Sequence, residues 1–125
     1  MTDPATFTSP RATRIRLKKS EKILEVDFDD GNHFALPTEL LRVESPSAEV
    51  QGHSATEKKI VAGRRHVNII KIEPVGHYAI QLTFDDLHDT GIFSWAYLHE
   101  LGRQKDIRWA AYLAALEAKG LSRDP

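Results

Sequence analysis

Apolar and polar residues alternate within the stretch 66–95, around which the rest of the chain can be arranged. One set of alternate positions is apolar throughout: Tyr78, Ile80, Leu82 and Phe84. A period of two predicts a strand with one face on a core and the other toward water. The acidic pair Asp85-Asp86 then indicates a turn, and Trp95 opens a predicted helix that packs back on the sheet. We therefore expect Phe84 and Trp95 to be core residues.

The same order of elements is predicted in the first half of the chain. Strands are indicated at 13–18, 23–29 and 33–36, and a short helix at 37–42. An offset of 56 residues superposes the apolar positions and acidic pairs of the two halves: Leu24, Val26, Phe28, Asp29 and Asp30 on Ile80, Leu82, Phe84, Asp85 and Asp86. An offset of 55 places Ile15 and Leu17 on Ile70 and Ile72, and an offset of 57 places Leu36, Leu40 and Leu41 on Phe93, Tyr97 and Leu98. Duplication and the shared pattern of hairpins both explain this repeat, and the sequence leaves the two open.

The predicted fold class is α+β, with two similar antiparallel hairpin and helix units. A long loop, poor in apolar periodicity, is expected to join them at 43–65. A C-terminal helix is predicted at 105–119, ended by Gly120. Its apolar stripe is expected to face the core: Ile107, Ala110, Ala111, Leu113, Ala114 and Leu116. Trp109 and Tyr112 on this helix would anchor it against the sheet or a partner.

Length and composition bound the function classes. The 125 residues fit one domain at 12–120, with a disordered lead-in at 1–11 and a tail at 121–125. With no cysteine, disulfides, thiolate zinc sites and ordinary iron–sulfur ligand sets are excluded. A formal charge of −1 gives no electrostatic argument for nucleic acid or membrane binding. No apolar run approaches the roughly 18 residues of a membrane span, so a cytoplasmic protein is expected.

Two groups of residues could carry chemistry. The acidic pairs at 29–30 and 85–86 suit general acid–base catalysis or a hard cation, although turn formation also explains them. A metal site is conceivable at His88 and Asp86 with His53 of the loop. Partner binding is conceivable at Arg64, Arg65 and His66, which could clamp a phosphate or a carboxylate or form a solvated loop. No phosphate-binding glycine loop, nucleophile elbow or HExxH motif is present, so the sequence does not indicate an enzyme.

Three blocks of sequence together resemble a known family: LRVESPSAEVQGH at 41–53, AGRRHV at 62–67, and IEPVGHYAIQLTFDDLHDTGIFSWAYLHELG at 72–102. They are similar, over about residues 13–105, to small bacterial proteins related to the N-terminal domain of gamma-butyrobetaine hydroxylase. The resemblance implies that this domain is an accessory one in the hydroxylases, where it lies beside an iron and 2-oxoglutarate oxygenase domain. It also implies that the accessory domain of the hydroxylases holds a structural zinc with three cysteines and a histidine. Similar domains are also fused to P-loop ATPases of the iron–sulfur carrier type.

Transferred residue by residue, the family's cysteine positions fall on Ser45, Ser47 and Val50, and its histidine ligand falls on His88. One histidine cannot hold tetrahedral zinc, so the resemblance implies that the structural zinc of the relatives is lost here. The chain has no room for the oxygenase domain, and hydroxylase activity is not implied. Without the thiolate crosslink, residues 51–59 are expected to be mobile.

Three functions follow as expectations. The first is a non-enzymatic accessory module that binds another protein, with a P-loop ATPase of the iron–sulfur carrier type as the implied partner. The second is an iron- or zinc-binding protein that uses His88, Asp86 and His53. The third is a small enzyme of unknown substrate. A monomer or weak dimer that binds neither nucleic acid nor membrane is expected.

Overall fold

The structure, a computed structural model, describes residues 10–51, 58–89 and 91–125. The first antiparallel sheet has the order β1 (Ala12–Lys18), β2 (Ile23–Phe28), β3 (His33–Pro37). The second has the order β4 (Ile69–Val75), β5 (Ala79–Phe84), β6 (Gly91–Ser94). The helices are α1 (Thr38–Val43), α2 (Ala48–Gln51), α3 (Trp95–Arg103) and α4 (Lys105–Ala118). The predicted α+β class, with two antiparallel units and a C-terminal helix, is confirmed.

The first two strands pair in the same way in both sheets. In the first sheet Ala12 pairs with Phe28, and in the second Ile69 pairs with Phe84. Each sheet then has a register shift one pair further along. The first strands of the halves therefore correspond at an offset of 57, and the predicted offset of 55 is wrong. A shift of two residues preserves the alternation of inward and outward side chains, so apolar periodicity could not distinguish the two registers.

The acidic turns are also repeated. Phe28 N donates to Asn32 O at 2.9 Å, and Phe84 N donates to His88 O at 2.9 Å. Each turn has one residue of positive φ, which is Gly31 at 88° and Leu87 at 70°. A leucine in this left-handed conformation is strained, because its Cβ crowds the backbone there.

The core lies between the two sheets and their helices. Its fully buried side chains come from equivalent positions of the halves, and they include Leu24, Val26, Leu36, Leu41, Leu82, Phe84, Phe93 and Leu98. Phe84 is buried as predicted, and the half-buried Trp95 packs against this core. The strand β5 begins at Ala79, so Tyr78 lies outside it and is 61% exposed.

The central segment is more ordered than a loop. The short helix α2 interrupts it, and side chains that precede that helix are buried, including Val43, Ser45 and Ser47. The prediction of one long loop at 43–65 is therefore wrong for Val43, which ends α1, and for α2 (Ala48–Gln51). Residues 52–57, which hold most of the predicted mobile stretch 51–59, lie outside the described residues.

The C-terminal helix packs with a different face from the predicted one. Tyr112 and Leu116 are buried, whereas Ile107 is 74% exposed and Leu113 is 39% exposed. The ring of Tyr112 buries more apolar area than the alanines, and its hydroxyl donates to Val61 O at 2.6 Å. These two contributions explain why the aromatic face, rather than the alanine stripe, turns inward.

Residues 121–125, predicted to be a tail, run beside the segment that precedes β4. Gly63 N donates to Ser122 O at 2.9 Å, and Arg65 N donates to Arg123 O at 3.0 Å. Of the helices described, none combines the length and the apolar character that crossing a membrane requires.

Candidate functional site

Three polar side chains meet in the protein interior where the central segment touches the second acidic turn. Ser45 Oγ lies 2.9 Å from His88 Nε2, and Ser47 Oγ lies 3.4 Å from the same nitrogen. Ser45 has no exposed surface, and Ser47 and His88 are each 7% exposed. We call these three residues the Ser–His cluster. Buried polar groups require such partners, because an unpaired one costs about 1–3 kcal/mol.

A glycine opposite the cluster leaves room for it. A Cβ built on Gly91 would lie 2.6 Å from Ser45 Oγ. The position equivalent to Gly91 in the first sheet is Phe34, whose ring lies against the glycine of α3, Gly102. Gly102 in turn corresponds to Ser45 at the offset of 57. The two halves thus fill the same space in opposite ways, one with an aromatic ring and the other with the Ser–His cluster.

Asp86 binds two arginines beside this cluster. Its Oδ2 accepts from Arg42 Nε and Arg64 Nε, at 2.7 Å each, and its Oδ1 accepts from His88 N at 3.1 Å. We call Arg42, Asp86 and Arg64 the arginine clasp. Burial opposes ionisation of Asp86, but the hydrogen bonds from Arg42 and His88 N and the charges of both arginines outweigh it and lower the pKa of the carboxyl.

The first acidic turn makes the equivalent contact with the other half. Asp30 Oδ2 lies 2.8 Å from His99 Nε2, and His99 is the α3 residue that corresponds to Arg42 of α1. Edge-on contacts with Phe28 and Phe34 hold the His99 ring in place. The backbone hydrogen bond from Asn32 is the main cause that lowers the pKa of Asp30, and His99 adds to it. Each acidic turn therefore binds the helix of the opposite half.

In the structure, the predicted metal ligands His88 and Asp86 contact different groups. The His88 ring faces two serines, while the Asp86 carboxylate faces two arginines. His53 lies outside the described residues. Among residues 10–51, 58–89 and 91–125, no three histidine or carboxylate side chains converge in the way that a metal ion requires. One imidazole and two neutral hydroxyls do not fit the zinc site that the resemblance implies, since zinc prefers thiolates, imidazoles and carboxylates.

The basic residues predicted to bind a partner are placed along the segment before β4. Arg64 belongs to the arginine clasp and also donates to Ala62 O at 3.0 Å. Arg65 Nε lies 2.5 Å from Asp124 Oδ1. The His66 ring is exposed, and its carbonyl accepts from Lys22 Nζ at 3.1 Å. Two of the three side chains are thus already paired with carboxylates of this chain.

Sequence reasoning did not identify two residues that shape the site. Arg42 supplies half of the arginine clasp, and the buried Glu44 carboxylate lies 2.5 Å from Lys58 Nζ. Tyr97 donates to Glu44 O at 2.5 Å, and burial, followed by the charge of Glu44, raises the pKa of Tyr97 to about 12. The repeat carried a signal for Arg42, because the offset of 57 aligns it with His99.

Comparison with known protein families shows to which family the chain belongs. Residues 15–99 match the family described as gamma-butyrobetaine hydroxylase-like, N-terminal. The chain belongs to this family. None of the curated proteins matches the sequence of this gamma-butyrobetaine hydroxylase-like domain.

Solved structures agree with the family assignment. Two proteins described only by their NMR solution structures are 45% and 46% identical to the domain, each with a TM-score of 0.82. The first match covers 94% of this chain and 93% of that protein, and the second covers 100% and 92%. A crystal structure of a DUF971-family protein of unknown function from Acidithiobacillus ferrooxidans is 42% identical, with a TM-score of 0.63 over 81% of this chain and 98% of that one. The resemblance predicted from the sequence blocks is confirmed.

Proposed function

We propose that this gamma-butyrobetaine hydroxylase-like domain is a non-enzymatic binding module that acts with another protein. The partner class is a P-loop ATPase of the iron–sulfur carrier type, which is the kind of partner that the family resemblance implies. The observation that supports a docking role is the apolar surface left exposed on α4. The Ser–His cluster and the arginine clasp serve the fold in this proposal, because their polar groups are directed at each other.

The exposed surface is the side of α4 opposite the buried Tyr112. It consists of Ile107, Ala110, Ala111, Ala114 and Ala118, and we call these residues the α4 outer face. Their spacing of three, four and seven residues places them on one stripe. All five are exposed, and Ile107 is 74% exposed. An amphipathic helix usually turns such a stripe inward, so this stripe is suited to an external partner.

The chemistry of the α4 outer face supports a helical partner. Alanine side chains allow the backbone of a second helix to approach closely, and Ile107 supplies a larger anchor. Asp106 and Glu117 lie along one flank of the stripe. A helix of the ATPase with small apolar residues and a basic flank is therefore complementary to it.

The buried position of the Ser–His cluster supports a non-enzymatic role. Ser45 has no exposed surface and His88 is 7% exposed. A nucleophile must reach its substrate, and Ser45, the serine nearer to His88, has no exposed surface through which a substrate could reach it.

Binding between the purified full chain and a purified ATPase of this class tests the proposal. Ile107→Glu and Ala114→Glu should each weaken the complex at least tenfold, because they place an unpaired charge in the interface. Leu87→Glu is the matched control. Leu87 is an apolar residue that is 80% exposed, and it lies on the second acidic turn rather than on α4. Equal binding by all three variants, or no binding by the unmodified chain, would contradict the proposal.

A further inference from the structure

A cavity of about 290 Å³ lies where α3 begins, outside the Ser–His cluster and the α4 outer face. Arg11, His77, Tyr78, Ser94, Trp95 and Ala96 line it, and its wall is mostly apolar. We call it the α3 notch. Its volume is at the lower limit of pockets that hold small molecules.

Hydrogen bonds fix the Trp95 indole and the backbone of Tyr78 at the α3 notch. Trp95 Nε1 donates to His77 O at 2.8 Å, and Trp95 N donates to Tyr78 O at 2.9 Å. The Tyr78 ring lies against Gly76, where an added Cβ would be 3.0 Å from a ring carbon. Gly76 has a φ of 55°, which also favours glycine. An indole that is already fixed loses little conformational entropy when a flat ring stacks on it.

The repeat shows how the equivalent position in the first half is filled. Thr38 N donates to Lys22 O at 2.9 Å, as Trp95 N does to Tyr78 O. Glu39, which follows Thr38, binds the Arg123 guanidinium with contacts of 2.7 and 2.9 Å. In the first half, an acid on the helix therefore holds a cation of the chain itself.

In the second half, the equivalent position carries no acid, and an arginine lies nearby instead. Ala96 occupies the position of Glu39, so the α3 notch has no acid on its helix. Arg11 lies at its rim, and no carboxylate within the described ranges pairs with the Arg11 guanidinium, although Asp29 Oδ1 accepts from Arg11 N at 3.0 Å. The start of α3 adds partial positive charge on the same side. An anion is therefore the complementary occupant.

We propose that the α3 notch binds a small flat anion, namely an aromatic ring that carries a carboxylate or a phosphate. The ring stacks on Trp95 and Tyr78, and the anionic group binds Arg11. This assignment is independent of the docking role of α4.

Titration of the full chain, followed by backbone and indole N–H NMR shifts, tests the proposal. The probes are benzoate and adenosine monophosphate, and their neutral counterparts are benzamide and adenosine. Saturable shifts at Ala96 and the Trp95 indole are expected with an anion, and about tenfold weaker binding with its neutral counterpart. Binding of benzoate alone would identify a carboxylate ligand, and binding of the nucleotide alone would identify a phosphate; either supports the proposal.

Variants show whether the predicted groups are responsible. Arg11→Gln should weaken anion binding about tenfold and leave the neutral probes unaffected. Ala96→Glu should weaken it similarly, because it recreates the acid of the first half. Arg14→Gln, which removes an exposed arginine of β1, is the matched control and should change nothing. No saturable shift up to about 10 mM probe, equal affinity for neutral and anionic probes, or equal effects of Arg11→Gln and Arg14→Gln would overturn the proposal.

Discussion

The His88 imidazole and the Ser45 hydroxyl meet at 2.9 Å across the interface between the two halves of the fold. They are 43 residues apart in sequence, and both are buried. The family resemblance implies that, in relatives with zinc, the equivalent positions are a histidine and a cysteine joined through the metal. In this chain a hydrogen bond makes the corresponding connection. The central claim is that the Ser–His cluster joins the halves without a metal ion.

Gly91 should be required for this arrangement. Gly91→Ala places a Cβ 2.6 Å from Ser45 Oγ and should destabilise the protein by about 1–3 kcal/mol. Combining it with Ser45→Gly should recover part of the loss, because the hydroxyl that it meets is removed. Urea unfolding of the two single variants and the double variant measures this. Strictly additive losses would show that the space beside Ser45 is not the constraint.

Stability should decrease in acid partly through Asp86. Its pKa is lowered in the folded state, so the folded protein binds fewer protons than the unfolded chain, whose aspartates titrate near about 3.9. The contribution is present above that pH and is lost as the pH falls through the folded pKa. Asp86→Asn should therefore make the loss of stability between about pH 5 and pH 2 shallower.

Asp89→Asn is the control for this measurement, because Asp89 is an exposed carboxylate on the same turn. Urea unfolding at a series of pH values compares the two variants with the unmodified protein. The arginine clasp would not be linked to stability if both variants gave the same acid profile.

Zinc and ferrous iron should bind no more tightly than about millimolar. Within residues 10–51, 58–89 and 91–125, no three histidine or carboxylate side chains converge as a metal site requires, the two serine hydroxyls beside His88 are neutral, and Asp86 is already paired with Arg42 and Arg64. Calorimetric titration of untagged protein measures the affinity. A stoichiometric micromolar site that survives His53→Ala and disappears in His88→Ala would contradict this prediction.

The sequence predicted those parts of the fold that follow from local patterns. Alternation along Ile80, Leu82 and Phe84 located β5 and its buried face. The same alternation could not set the register between the halves, because a shift of two residues leaves it unchanged. On α4 the alanines and the aromatic residues gave two apolar faces, and tertiary packing selected the aromatic one.

The candidate site was predictable only in part. Family resemblance brought Ser45, Ser47 and His88 together, since the cysteine and histidine positions of relatives fall on them. The pairing of Arg42 with Asp86 joins residues 44 positions apart, and no local pattern indicates it. The alignment of the two halves at an offset of 57 places Arg42 on His99, but it does not indicate that Arg42 pairs with Asp86.

A double-mutant cycle on Ser45 and His88 tests the central claim most directly. Ser45→Ala, His88→Ala and the double variant should be unfolded in guanidinium chloride with and without a metal chelator. The expected coupling energy is about 1 kcal/mol, equal in both conditions, because the hydrogen bond joins the two residues without metal. A coupling energy near zero, or one that disappears when the chelator is added, would contradict the account.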